Sequence, residues 1–263
     1  MIEPKAKKAL GQHWLTDTVS LRAMCTAAHV LPGETVLEIG PGFGTLTEQL
    51  IVVGANVTAL EFDVSLIPAL EKKFKTYLGT QLVVEPGDIR TFDFTTMPID
   101  YKVVANIPYY LTSNLIQLLS ETSNPPSTAV LLVQKEVAVR VASRPGDMSI
   151  LSITAQYYWD VDLDMVVLAE MFRPAPKVDS QILVLKYRSN PLFTKVDTKR
   201  FFQIVKAGFS QKRKTLLNSL SAGLRMERDA TKALCEQANI NPGLRAQALS
   251  LEDWHKLYLS LEV

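Results

Sequence analysis

The sequence predicts an α/β protein, a mostly parallel twisted sheet with helices on both faces, joined to a small all-α C-terminal domain. Three observations predict it. Apolar runs of strand length, rich in Val, Leu and Ile, alternate with amphipathic stretches through the first part of the chain. A glycine-rich turn follows the first such run. From residue 197 onward, long 3.6-residue periodicity continues with no convincing strand.

The sheet opens with TVLEI at 35–39 and continues with NVTALE at 56–61, QLVVE at 81–85, YKVVANI at 101–107 and TAVLLVQ at 128–134. Helix-compatible GTLTEQLIVVG, VSLIPALEKKF and TSNLIQLLSE lie between them, the alternation that brings successive strands parallel. VDLDMVVLA and SQILVLKY, separated by the proline-rich MFRPAPKVD, read as a closing antiparallel pair. YRSNPLF then reads as a linker, which divides the chain into domains 1–193 and 194–263.

A chain of 263 residues, 47% of them hydrophobic, is long enough for one large core and a smaller one. It holds no apolar stretch of membrane-spanning length, and Lys5, Lys7 and Lys8 are not followed by the apolar segment of a secretory signal. The expectation is a cytoplasmic monomer that engages no membrane. Cys25 and Cys235 are far apart and His13, His29 and His255 are scattered, so no disulfide framework or metal site is expected. The charge is uneven: residues 194–263 carry 12 Lys and Arg against 7 Asp and Glu, and the first 193 carry the remaining 16 against 20. A weakly acidic body with a basic tail suits a polyanionic substrate, and also suits an ordinary solvated surface.

EIGPGFG at 38–44 sets Gly40, Gly42 and Gly44 between the first strand and its helix, where a backbone without Cβ atoms lets a ligand approach. The dinucleotide fingerprint is incomplete, because its third glycine position is Thr45. Glu61 ends the second strand 21 positions after Gly40, where a carboxylate accepts both hydroxyls of a ribose. Asp88 ends the third strand, placed to accept from an adenine amino group; taken alone it reads equally as a turn residue.

NIPYY at 106–110 ends the fourth strand on the same rim. Asn106 offers a carboxamide, and Pro108 holds Ile107 extended with its carbonyl outside any helix ladder. Two acceptors aimed at one point suit an exocyclic amine with two N–H donors. Holding both draws the nitrogen toward a tetrahedral shape and frees its lone pair. Tyr109 supplies a face for the attached base, a stack worth about 1–3 kcal/mol. An amine that has accepted a carbon is acidic enough to lose its proton to water, so positioning replaces a tuned general base. The plainer alternative is a strand-terminating turn with core tyrosines.

These segments, with GQHWL, LVQKEVAVR, FRPAPKVDS, FSQKRKTLLN and RAQALSLEDW, resemble the ribosomal RNA adenine dimethyltransferases of the small-subunit (KsgA/RsmA) type from about residue 10 to 259. The resemblance implies a Rossmann-like class I methyltransferase sheet. It implies transfer of methyl groups from S-adenosyl-L-methionine to two adjacent adenosines near the 3′ end of 16S rRNA during ribosome biogenesis. The partner would be the small ribosomal subunit precursor. His13, Leu15, Gly40, Gly42, Glu61 and Asp88 would hold the cofactor, with Asn106 between cofactor and target. Tyr109 and Phe172 would sandwich the target base, with Pro174 and Pro176 stiffening the loop; without the resemblance Phe172 reads as core. His13 stands where Asn is common, Trp14 where Phe is general and Ala248 where a larger residue is frequent.

Lys199, Lys206 and Arg213 recur every seven residues, beside Lys212 and Lys214, as an RNA stripe or a solvated face, with Gly208 a possible break in that helix. Three alternatives stay open at the level of sequence. They are a large-subunit enzyme of the macrolide-resistance type, a non-catalytic ribosome-assembly factor, and a nicotinamide-dependent oxidoreductase, which Thr45 and NIPYY disfavour.

Overall fold

The computed structural model describes residue 7 and residues 11–190 and 192–261. In chain order the first elements are β1 (Trp14–Leu15), α1 (Thr18–Ala27), β2 (Thr35–Ile39), α2 (Thr45–Val52), β3 (Asn56–Glu61), α3 (Ile67–Lys73), β4 (Leu82–Pro86), β5 (Lys102–Asn106), α4 (Thr112–Glu121) and β6 (Thr128–Gln134). There follow α5 (Lys135–Val141), α6 (Ile150–Tyr158), β7 (Trp159–Val167), β8 (Phe172–Arg173) and β9 (Ser180–Tyr187). Helices α7 (Thr198–Phe209), α8 (Leu216–Leu224), α9 (Arg228–Gln237) and α10 (Leu251–Leu261) complete the chain. Two compact units result: one holds the residues through Ala138 plus Trp159–Tyr187, the other Val139–Tyr158 plus the residues from Arg188 onward.

The first unit is built on a seven-stranded sheet of order β4-β3-β2-β5-β6-β9-β7, flanked by helices. The first five strands are mutually parallel, and β9 pairs antiparallel with β6 and β7, the closing pair that the sequence predicts. Val103, Val104 and Ala105 and the run Ala129–Val133 are fully buried, because central parallel strands have helices over both faces and leave no polar side to alternate with. The order reverses between β2 and β5: the chain steps outward through β3 and β4, then returns to β5 on the other side of β2. At that reversal the loops after the two strands splay apart, which opens a crevice at their carboxyl ends.

The second unit is helical. Met148, Ile153 and Tyr157 from the 139–158 segment share an apolar cluster with Phe201, Leu216, Leu220, Leu234, Trp254 and Leu257. That shared burial is why 139–158 belongs to this unit, whereas the linker reading places one cut after residue 193. Asp197 caps α7 by accepting from the Arg200 N–H at 3.2 Å. Gly208 does not break α7. A Cβ there would collide with the Trp254 ring, so the glycine lets the indole lie against the helix backbone. Since α7 ends at Phe209, Arg213 stands in the turn beyond it, and the seven-residue spacing does not mark one helical face.

Candidate active site

The crevice between β2 and β5 holds about 1110 Å³ of atom-free space, open solvent included, and its walls all come from the first unit. Gly40, Gly42 and Gly44 carry it past β2 with φ of +69°, +57° and +71°, a left-handed run that L side chains avoid. Nothing lies within 4 Å of a Cβ built on Gly40, so the backbone there fronts open space.

Glu61 closes one wall, 5% exposed. Its Oε2 accepts the Gly42 N–H at 3.0 Å and its Oε1 the Asp63 N–H at 2.7 Å. Burial raises its pKa, and those two N–H groups oppose the rise. Beneath the glycine loop Glu38, 1% exposed, also lines the crevice, with the Thr47 hydroxyl donating to its Oε2 at 2.6 Å. Burial pushes Glu38 up to about 8; the Thr47 bond pulls down, the Glu61 charge pushes up and the Lys73 charge pulls down.

Asp63 holds two side chains against the same wall. Lys7 Nζ donates to Oδ1 at 2.7 Å and Gln12 Nε2 to Oδ2 at 3.2 Å, while the Lys7 N–H donates to Gln12 Oε1 at 2.8 Å. Burial works against its charge, but bonds from Lys7, Ser65 and Gln12 hold this carboxyl down at about 2. Asp88, at the far end of the crevice, is bonded by the Arg90 guanidinium, which keeps its pKa low. Four carboxylates against one guanidinium line the space, an environment suited to a cation.

On the opposite wall Asn106 Nδ2 donates to the His13 carbonyl at 3.1 Å. That bond decides which way the carboxamide faces and leaves Oδ1 as the acceptor. Leu111 N–H bonds to Pro108 O at 3.0 Å, so the Ile107 carbonyl lies outside that turn. Tyr109 is fixed by a 2.7 Å bond between its hydroxyl and Ser180 Oγ, and its ring lies 16° from the plane of His13, centroids 6.1 Å apart. His13 in turn meets the Pro174 carbonyl through Nδ1 at 2.7 Å; a carbonyl only accepts, so the ring proton is on Nδ1.

Gly40, Gly42, Glu61, Asp88, His13, Asn106, Pro108 and Tyr109 therefore converge on one crevice. Two expected residues do not. Leu15 is fully buried in the core, and its carbonyl accepts from the Thr45 hydroxyl at 3.0 Å. Phe172, 1% exposed, is paired with it across an antiparallel β1–β8 ribbon and shares its apolar cluster. In this structure Phe172 presents no open face to a base. Both are absent from the crevice wall because that short ribbon turns them inward while His13 and Trp14 face the cavity. Sequence reasoning assigned no role to Glu38, although it stands inside EIGPGFG, or to Asp63, and it missed the tie from Asn106 to His13. Lys199 and Lys206 are exposed on α7, and Lys212, Arg213 and Lys214 are exposed in the turn before α8; all belong to the second unit and none lines the crevice.

A sequence model described as ribosomal RNA adenine dimethylase matches residues 3–262. A protein of Dehalococcoides mccartyi (strain CBDB1) named Ribosomal RNA small subunit methyltransferase A is 39% identical over 261 residues, spanning 97% of this chain and 88% of the relative. Among solved structures, a dimethyladenosine transferase from Plasmodium falciparum is similar at TM-score 0.78 and 27% identity, covering 94% of this chain and 97% of that one. The 23S rRNA methyltransferase ErmE is similar at TM-score 0.75 and 28% identity, covering 95% of this chain and all of that one.

Proposed function

Since this chain belongs to the ribosomal RNA adenine dimethylase family, whose methyl donor is S-adenosylmethionine, we propose that it dimethylates the exocyclic amines of two adjacent adenosines near the 3′ end of small-subunit rRNA. The observation that carries this reading is the Asn106 carboxamide, its nitrogen tied to His13 and its oxygen left to accept beside Tyr109.

The crevice fits the donor: Gly40 leaves room at the backbone, Glu61 is placed for the ribose, Asp88 for the adenine, and the excess of carboxylates for a sulfonium and an ammonium group. The bound donor supplies an electrophilic methyl. The residues of the chain do the rest by position. Asn106 Oδ1 and the Ile107 carbonyl accept the two N–H bonds of the target amine, which frees the nitrogen lone pair; Pro108 sets the second acceptor and Tyr109 stacks the base. Transfer of that methyl to the freed nitrogen would leave an ammonium acidic enough to give its proton to water, so the chain needs to position the amine and not to supply a general base. The enzyme works in the cytoplasm on the small-subunit precursor, with Lys199, Lys206, Lys212, Arg213 and Lys214 contacting rRNA phosphates.

Mass spectrometry of rRNA from unmethylated ribosomal subunits, incubated with the protein and S-adenosylmethionine, tests this. Dimethylation of two neighbouring adenosines in the small-subunit RNA is the expected result. Modification of the large-subunit RNA alone would replace this reading with that of a macrolide-resistance enzyme.

A further inference from the structure

Three buried carboxylates line the cofactor crevice; Asp63 is paired with Lys7, and the two glutamates are served differently. Glu61 receives two backbone N–H groups. Glu38 is served by one residue, Thr47, through its hydroxyl at 2.6 Å and more weakly through its backbone N–H. Among the described residues neither has an ion-pair partner. The titratable groups that face Glu38 come from three elements: Glu61 on β3, Lys73 on α3 and Cys25 on α1. Burial, and then the charge of Glu38, push the Cys25 thiol up to about 12, so it stays neutral. Lys73 spends its ammonium on Glu48 at 3.0 Å and on the carbonyls of Gly44 and Phe43 at 3.3 and 3.4 Å. A carboxylate served by a single residue, with a like charge beside it and almost no water, is disfavoured in its ionised form unless a cation arrives.

Resting on the function proposed above, we infer that Glu38 is a charge discriminator: neutral when the crevice is empty or holds the uncharged thioether product, ionised when it holds the sulfonium donor. The same carboxyl then distinguishes cofactor from spent cofactor, two molecules that differ by one methyl and one positive charge. Donor binding releases a proton, while product binding leaves the acid protonated and gains nothing from it. By linkage, the donor's advantage over the product grows with pH by up to about tenfold per unit while Glu38 titrates, and is flat above that range.

Calorimetric titration of the full chain at about pH 7, in buffers of different ionisation enthalpy, counts the protons. Release of close to one proton with S-adenosylmethionine and close to none with S-adenosylhomocysteine is the expected result. In Glu38→Gln, whose amide matches the neutral acid in shape and still accepts from Thr47, the difference between the two ligands should vanish. Preference for the donor should fall by about tenfold. Equal proton counts for the two ligands in the native chain, or an unchanged difference in Glu38→Gln, would overturn the assignment while leaving the proposed reaction standing. Failure of either ligand to bind would overturn the proposed reaction as well. The native-chain comparison decides the matter even if the variant fails to fold.

Discussion

At the amino end of β5, Lys102 is buried with its ammonium held by Glu34 Oε2 at 2.6 Å and by the His29 carbonyl at 2.7 Å. At the carboxyl end of the neighbouring β2, Glu38 is as deeply buried and has one hydroxyl at 2.6 Å and no ion partner among the described residues. The two ends of one sheet thus treat a buried charge in opposite ways. Lys102 is matched by the protein itself, as a structural charge must be, because an unpaired ion in the interior is expensive. On the other rim Asp63 and Asp88 are paired, but Glu38 and Glu61 are left under-matched, and an imbalance of that kind marks the side that a ligand completes.

The largest effect expected at the under-matched rim is in Asn106→Ala. Methyl transfer from labelled cofactor should fall by roughly a hundredfold or more, the scale of losing a positioned polar group at a reacting centre, while RNA binding changes little. Activity within a few fold of the native level would remove Asn106 from the role given to it. At the matched rim Lys102→Met should do the reverse. Denaturant unfolding should show a loss of about 1–3 kcal/mol, limited because Glu34 is partly exposed and turns to water, and cofactor affinity should stay within about twofold. Equal damage to binding would erase the contrast between the two ends.

A third class of charge, exposed and without an ion pair among the described residues, is represented by Lys206 and Arg213. Reversing both to Glu should weaken rRNA binding by roughly tenfold and reduce the salt slope by about two. An unchanged slope would return them to the solvated face that their spacing equally permits.

The last contrast concerns pH. Burial raises Glu38 in the folded chain, so the folded state binds more protons than the unfolded one between the ordinary carboxylate range and about 8. Stability relative to Glu38→Gln should therefore fall as pH rises through that window. Asp63, held down at about 2 despite its burial, behaves in the opposite sense. Its contribution is present above the ordinary carboxylate range and should fade, relative to Asp63→Asn, as pH drops toward 2. Thermal melts across both windows check the two signs.

The sheet was legible because strands buried on both faces are written as unbroken apolar runs, and because Pro108 and the glycines mark where those runs must stop. Glu61, Asp88 and Asn106 were legible for the same reason, each standing at a strand end. Leu15 was not, because a two-residue ribbon carries no alternation from which to read which way a side chain turns; Phe172 reads as core from the residues alone, and it is core here, whereas the resemblance put it beside the target base. The ion pair of Lys7 with Asp63 joins positions 56 apart, and no local pattern announces it. Gly208 looked like a helix breaker because composition does not reveal the indole waiting for the space. The segment 139–158 was assigned to the sheet by order along the chain, whereas its apolar residues are spent on the helical core.

The bond from Asn106 Nδ2 to the His13 carbonyl makes one atom decisive. Exchange of that amide nitrogen for oxygen turns a donor into an anion facing another oxygen, which must swing away and take the acceptor with it. A chain aged by spontaneous deamidation at this position would keep its core, since Asn106 stands at the end of its strand, and would lose the acceptor on which methyl transfer depends.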